Sequence, residues 1–382
     1  MPLAGRFAVK FLVPATIAGV LVLAANTEPR EPIPLRLTDK EFWTLSAELS
    51  EPAGYFRSDN LVSNEVTFQH PIPELIRRAG TGGVYLGVGP DQNFTYIAAL
   101  KPRIAFIVDI RRLNVMQHLF YKALFELSTD RVDFVAQLFG RPKPAGLSPT
   151  TTPDSLMLAF AVAMPDSAYF VRTRAAIHEQ LLTKHGFTLT EEEIGGLDYV
   201  HEAFYLAGPD LTYNFGTGRR GGGSFGRSMP SYGRLMMETD AEGVFRGYLA
   251  SEEHFRVLKD LQERNLIVPV TGDFGGPKAL RAVGDWVRRH DATIAAFYTS
   301  NVEQYLFQSD PVWKSFFQNV ESMPTDSSST FIRALFNMGW QYSGNTPGPR
   351  SVTMLCPINT HVREFAAGRL QSYYDVAQCP VQ

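Results

Sequence analysis

The sequence predicts an α/β fold built on a doubly wound, largely parallel sheet. Three observations predict it. Two short apolar runs, residues 84–88 and 104–110, flank a helix-like stretch, and the unit of roughly 27 residues is close to a βαβ unit. A helical pattern follows at once in Leu113, Met116, Leu119, Phe120 and Leu124. The same rhythm returns late in the chain, in NLIVPVTGDF (residues 265–274) and ATIAAFYTSNVEQYLF (residues 292–307). Strand and helix in alternation imply parallel strands covered on both faces. With 45% apolar and 20% charged residues in 382, the chain can bury a sizeable core. Its net charge of −3 gives no global signal for nucleic acid.

Taken in order, the N-terminus comes first. Arg6 and Lys10 precede an uncharged stretch, residues 11–27, that contains FLVPATIAGVLVLAA. A basic region, an apolar region and small residues at its end describe a secretory signal peptide, and an uncleaved anchor or a buried N-terminal helix are the alternatives. Residues 1–25 are assigned to it, which implies export or attachment to the membrane surface by this segment alone. Residues 26–80 form a leader and an N-terminal helical segment, beginning with an exposed Pro-rich stretch, NTEPREPIPL. Thr38 and Glu41 make a capping-box pattern before Phe42, Trp43, Leu45 and Leu49, so a helix is expected over Asp39–Leu49. YFRSDNLVSNE, residues 55–65, is dense in Ser, Asp and Asn, which bond backbone locally, and reads as a loop.

The main domain is expected over residues 81–382. After the strand at 84–88 a helix is expected over residues 93–100, ended by Lys101-Pro102, then a strand over 104–110. The rhythm breaks over about 141–250. Residues 141–155 look like a linker, residues 156–206 look mostly helical, and residues 216–227 are a Gly/Arg loop, so this part is read as a helical insertion. Residues 266–270 then read as a buried strand, with Pro277 suited to the first turn of the next helix. A polar turn, Thr299-Ser300-Asn301, follows another strand, and SVTMLC, residues 351–356, is a late strand. The only cysteines are Cys356 and Cys379. In an exported chain such a pair is expected to form a disulfide, with two inert thiols as the alternative.

The stretch VYLGVGPDQNF carries the chemistry. Glycines at 87 and 89 let backbone approach a ligand, the next helix offers N–H groups, and an acid at the end of the second strand, Asp109, can accept from ribose hydroxyls. The dinucleotide fingerprint would place a third glycine at position 92, where this chain has Gln92, so a ligand with adenosine and no phosphates fits better. The stretch from Val84 to Arg112, VYLGVGPDQNFTYIAALKPRIAFIVDIRR, resembles motifs I and II of class I S-adenosylmethionine-dependent methyltransferases. With EPAGYFRSDNLVSNE and TSNVEQYLF, residues 40–380 resemble an uncharacterised bacterial methyltransferase-like family. The resemblance implies a Rossmann-like, methyltransferase-type sheet. It implies S-adenosylmethionine as cofactor, with Gly87, Gly89, Pro90, Gln92 and Asn93 at its methionine part, Asp109 at its ribose and Asp273 beside its adenine. It places the turn Thr299-Ser300-Asn301 toward the methyl group. Asn301, Glu303 and Glu65 are then the candidate catalytic residues, and Asp59, Asn60 and Asn64 the candidate substrate contacts.

This chain departs from the family pattern at Tyr85, where an acid is usual, and in a fourth-strand turn that lacks Asn-Pro-Pro-aromatic. Plainer readings stand beside these assignments. Gly87 and Gly89 can close a tight turn, Asp109 with Arg111 and Arg112 can be a surface ion-pair cluster or can favour a phosphorylated ribose, and Asp273 and Asn301 can cap the helices that follow them. Ser224 lies in a formal G-x-S-x-G match but lacks the strand and helix a nucleophile elbow needs. His178-Glu179 and His201-Glu202 each lack a second histidine, so no metal is expected. The expected function is that of a methyltransferase-like protein binding a small adenosine-type molecule. The alternative is an exported or anchored binding protein that keeps the fold without turnover. Neither the methyl acceptor nor the oligomeric state is legible.

Overall fold

The computed structural model describes residue 1 and residues 31–213, 229–336 and 351–379. The rest of the N-terminal segment 1–25, the Gly/Arg loop 216–227 and Ser224 therefore lie outside the described residues. The leader is not simply exposed. Ile33 and Leu37 are buried while Leu35 faces solvent, and Leu37 N–H donates to the Arg264 carbonyl at 3.0 Å. Helix α1, Asp39–Leu49, starts with both reciprocal bonds of the Thr38–Glu41 capping box. No regular element lies between α1 and α2, Ile72–Ala79.

Among the described residues the sheet has six strands: β1 Val84–Gly87, β2 Ile104–Asp109, β3 Ile267–Thr271, β4 Ile294–Ser300, β5 Thr330–Phe336 and β6 Ser351–Pro357, in the order β3-β2-β1-β4-β5-β6. The first five are parallel and β6 runs antiparallel to β5. Strands β1, β2 and β3 are buried at every residue, as continuous apolar runs require in a sheet covered on both faces. Pro269 cannot donate to a ladder, and it is tolerated because β3 is the outermost strand. Strand β5 went unread at the sequence level, because Arg333 interrupts its apolar run.

Helix α3, Gln92–Leu100, connects β1 to β2, and α4, Arg112–Leu127, leaves β2 toward β3. Helix α11, Ala279–Arg289, returns from β3 past β2 and β1 to β4, followed by α12, Val302–Leu306, and α13, Asp310–Glu321, before β5. Parallel crossovers are right-handed, so reversing direction at β1/β4 puts α3 and α4 on one face and α11 and α13 on the other. The sheet is therefore wound both ways from β1 and β4, which is where a crevice opens at the strands' carboxyl ends. Helix α11 begins at Ala279, so Pro277 precedes the helix rather than opening its first turn. Glu51 accepts from the backbone of Lys278 and Asp273 instead, closing that helix end onto the end of α1.

Between α4 and β3 the chain builds a helical layer: α5 Arg131–Phe139, α6 Pro153–Val162, α7 Ser167–His178, α8 Glu191–Ala207 and α9 Tyr232–Met236, then α10 Glu252–Glu263. A buried charged network ties it to α1. Lys122 and His185 both bond Glu126, each at 2.7 Å, and the other nitrogen of His185 meets Asp39 at 2.7 Å. No helix among the described residues is long and apolar enough to cross a membrane.

Cys356 on β6 and Cys379 are joined by a disulfide, with Cα atoms 5.1 Å apart. The bridge holds the C-terminal tail, including helix Tyr373–Ala377, against the edge of the sheet. On the loop-entropy account such a closure stabilises by about 3 kcal/mol. Reduction, or Cys379→Ser, is expected to lower the thermal midpoint by several degrees. A midpoint indifferent to reductant would show that the bridge contributes nothing.

Candidate functional site

A cavity of about 300 Å³ opens at the carboxyl ends of β1, β2 and β4. Its walls come from five places: the loop before α2 (Tyr55, Phe56, Asn60, Val62, Ser63, Asn64, Glu65), the glycine turn (Val88, Gly89, Pro90), the end of β2 (Asp109, Ile110, Arg111), the turn after β3 (Gly272, Asp273, Phe274), and the end of β4 with the helices behind it (Tyr298, Ser300, Asn301, Tyr305). Tyr213 adds an edge.

The glycine turn is shaped from behind. Gly89 has φ +78°, and open space lies beyond its Cα on the side where a Cβ would sit. Gly87 leaves room for the Asn93 side chain, whose carboxamide oxygen would collide with any Cβ there. Asn93 donates to the carbonyls of Val88 at 2.9 Å and Pro90 at 2.7 Å, while Asn114 and His118 bond that of Gly89, each at 2.9 Å. The turn's carbonyls are thus directed toward α3 and α4. His118 is neutral at physiological pH, because burial lowers its pKa to about 4. Behind the turn Asp91 is also buried, which raises its pKa to about 7 against a hydrogen bond from Tyr248. Gly87, Gln92 and Asn93 do not line the cavity. They support the wall, and Tyr85 donates to Asn93 at 2.9 Å.

Asp109 ends β2 and lines the cavity, and it is also ion-paired. Arg111 donates to it from backbone N–H and Nε, each at 2.9 Å, and from Nη2 at 2.6 Å. This pair is not at the surface: the Arg111 and Asp109 side chains are 8% and 5% exposed. The third guanidinium nitrogen reaches the Asp59 and Ser58 carbonyls, so four of the five guanidinium N–H groups have partners and the charge is paired with Asp109. Asp59 does not face the cavity, because its carboxylate accepts from Tyr199 of α8 at 2.7 Å. Asn60 and Asn64 do line it, and Asn60 Oδ1 is buried with no hydrogen-bond partner among the described residues.

Asp273 lines the wall and does not cap α11. Its Oδ1 closes the turn by accepting from Gly275 N–H at 2.9 Å. Asn301 occupies the position before α12 without a side-chain capping bond. Glu303 sits elsewhere: both its oxygens accept from Arg333, at 2.6 and 2.8 Å, and it is not a lining residue. Glu65 is the opposite case. It is 1% exposed, lines the cavity, and accepts from Tyr298 at 2.8 Å, Gln92 at 2.7 Å and the Ser300 hydroxyl. Burial outweighs these three bonds and raises its pKa.

Residues 61–143 and 219–374 match the family described as "Domain of unknown function (DUF7790)". Together the two segments make up more than half of the chain. The chain belongs to this family. No curated protein matches the chain. The matched segments hold Glu65, the glycine turn, Asp109, Arg111, Asp273 and Ser300, while α6, α7 and α8 fall in the interval between them. Tyr55, Phe56, Asn60 and Tyr213 lie outside the matched segments.

Reasoning from sequence offered Arg111 as a partner of Asp109 but placed the pair at the surface, where the structure buries it, and it missed the aromatics Tyr55, Phe56, Tyr213, Phe274, Tyr298 and Tyr305. Arg111 stood two residues from a named candidate and was readable. The aromatics carried no signal, because only the fold gathers them.

Proposed function

We propose that the cavity binds an adenosine ligand of the S-adenosylmethionine type, on a Rossmann-like sheet of the methyltransferase kind. The observation that carries this is the charge of the wall. Glu65, Asp109 and Asp273 face one cation, Arg111, whose charge is already paired with Asp109, and six aromatic rings surround them. Among the described lining residues nothing is left to neutralise a phosphate. Carboxylates and aromatic faces instead favour a cationic ligand without phosphates. The orphaned Asn60 Oδ1 supports the reading too, since a buried acceptor without a donor is costly until a ligand supplies one.

The residues divide the work as follows. Asp109 offers its remaining acceptor site to a ribose hydroxyl, since three of its roughly four lone-pair positions are taken by Arg111. Asp273 and Phe274 suit an adenine edge and face. Gly89 brings backbone close to the ligand's tail. Bound S-adenosylmethionine would supply an activated methyl group on a sulfonium, and the protein's part is to orient two reactants and exclude water. Tyr298, Ser300 and Asn301 form the wall at that end.

Calorimetric titration of the domain is expected to detect S-adenosylmethionine and S-adenosylhomocysteine and to show far weaker binding of ATP and NAD. Silence toward both nucleosides, or tighter binding of ATP, would overturn the reading. A second reading is an exported or anchored binding protein that keeps the fold without turnover. The engagement of Glu303 by Arg333 favours it, because a candidate base is withdrawn from the cavity.

A further inference from the structure

Glu65 has chemistry that neither the fold nor the proposed nucleoside explains. It is a buried carboxyl group in a cavity wall, and every described group that bonds it is neutral. Tyr298 and Ser300 both donate to Oε1, and Gln92 donates to Oε2. The orientation of Gln92 is set, since its carboxamide oxygen accepts from Ser63 and its nitrogen also contacts Tyr96 at 3.3 Å. A carboxylate has about four acceptor positions, so one on Oε2 remains. Among the described residues no Lys, Arg or His pairs with Glu65, whereas the buried acids Asp109, Asp240 and Glu303 each hold an arginine, and Asp91, which pairs with none of them, lies behind the glycine turn and does not line the cavity. Ser300 is held at φ +52°, a conformation a serine rarely adopts, and its hydroxyl is fixed on Glu65.

A buried carboxyl group ringed by neutral donors lacks the opposite charge that would favour its ionised form, so burial alone favours the neutral acid until a cation arrives. We infer that Glu65 is the binding group for a protonated primary amine of a ligand in this cavity. An ammonium brings both the missing charge and an N–H for the remaining lone pair, and a sulfonium could bring only the charge. The amine can come from the amino-acid tail of a nucleoside ligand or from a second, amine-bearing molecule. The first source rests on the function proposed above, and the second does not.

The test separates the two sources. Wild-type protein and Glu65→Gln are titrated with S-adenosylhomocysteine, which carries an ammonium, and with 5′-methylthioadenosine, which does not. If the amine belongs to the nucleoside, the substitution weakens S-adenosylhomocysteine by about tenfold or more and 5′-methylthioadenosine by less than about twofold. If it belongs to a second molecule, both nucleosides are unaffected, and n-butylamine raises the thermal midpoint of the wild type but not of Glu65→Gln. Ser300→Ala keeps the carboxylate while removing one donor, and it should keep the discrimination, which guards against a misfolded Glu65→Gln. Equal responses of wild type and Glu65→Gln to all three probes would overturn the inference. Failure of both nucleosides to bind the wild type would overturn the proposed function alone, because the n-butylamine arm still reads Glu65.

Discussion

Asp109→Ala is expected to destabilise the protein by about 3–5 kcal/mol and to weaken an adenosine ligand as well. The stability loss follows from Arg111. Its guanidinium makes two of its bonds to the Asp109 carboxylate and is 8% exposed, so truncating Asp109 strands a buried cation. A surface pair would lose less than about 1 kcal/mol, and the burial of both partners is why the larger figure applies. The binding loss follows from the single acceptor position left on Asp109. One charge-assisted bond contributes about 1.5–3 kcal/mol, or roughly one to two powers of ten in affinity. Chemical denaturation and calorimetric titration of the same variant read the two effects separately. The double variant Asp109→Ala/Arg111→Met should recover much of the stability and none of the affinity. If the double variant is no more stable than the single one, the stranded charge is not the cause.

The second large effect is expected at Arg333. This residue lies within β5, 1% exposed, with its Cζ 4.1 Å from the Phe331 ring centroid. It donates to both oxygens of Glu303 and contacts His361 Nε2 at 3.1 Å. Burial, then the arginine's charge, lowers the His361 pKa to about 4, so the imidazole is neutral and does not compete for Glu303. Arg333→Ala leaves the Glu303 carboxylate buried and unpaired, at a cost of about 3–5 kcal/mol. Replacing both partners by apolar residues of similar size, Glu303→Leu with Arg333→Met, should cost much less. Urea denaturation of the three variants gives the coupling directly. Glu303→Gln adds a functional readout. It should change ligand affinity by less than about twofold, because Glu303 does not line the cavity. A large loss of affinity in that variant would return Glu303 to the binding site.

Much of the fold was legible because its signals are local. The capping box at Thr38, the continuous apolar runs of β1 and β2, and the Gly87–Gly89 turn each depend on a few neighbouring residues. Spacing alone placed Asp109 at the end of the next strand, where the structure has it. Local signals were weaker where a charge broke the pattern, as Arg333 does in β5, and where a proline could sit in the chain before a helix rather than inside it, as Pro277 does.

What the sequence determined by itself was therefore five of the sheet's six described strands, the glycine turn and a set of polar residues able to serve a ligand. Only the tertiary structure decided how those residues divide. It turned Asp59 to Tyr199 and Glu303 to Arg333, away from the cavity. It brought Glu65 to Tyr298 and Ser300, more than two hundred residues along the chain, and gathered the aromatic rings around them. The physical reason is burial. A carboxylate's role depends on which charge or donor reaches it once water is gone, and that partner is supplied by strand order and crossover handedness rather than by its sequence neighbours.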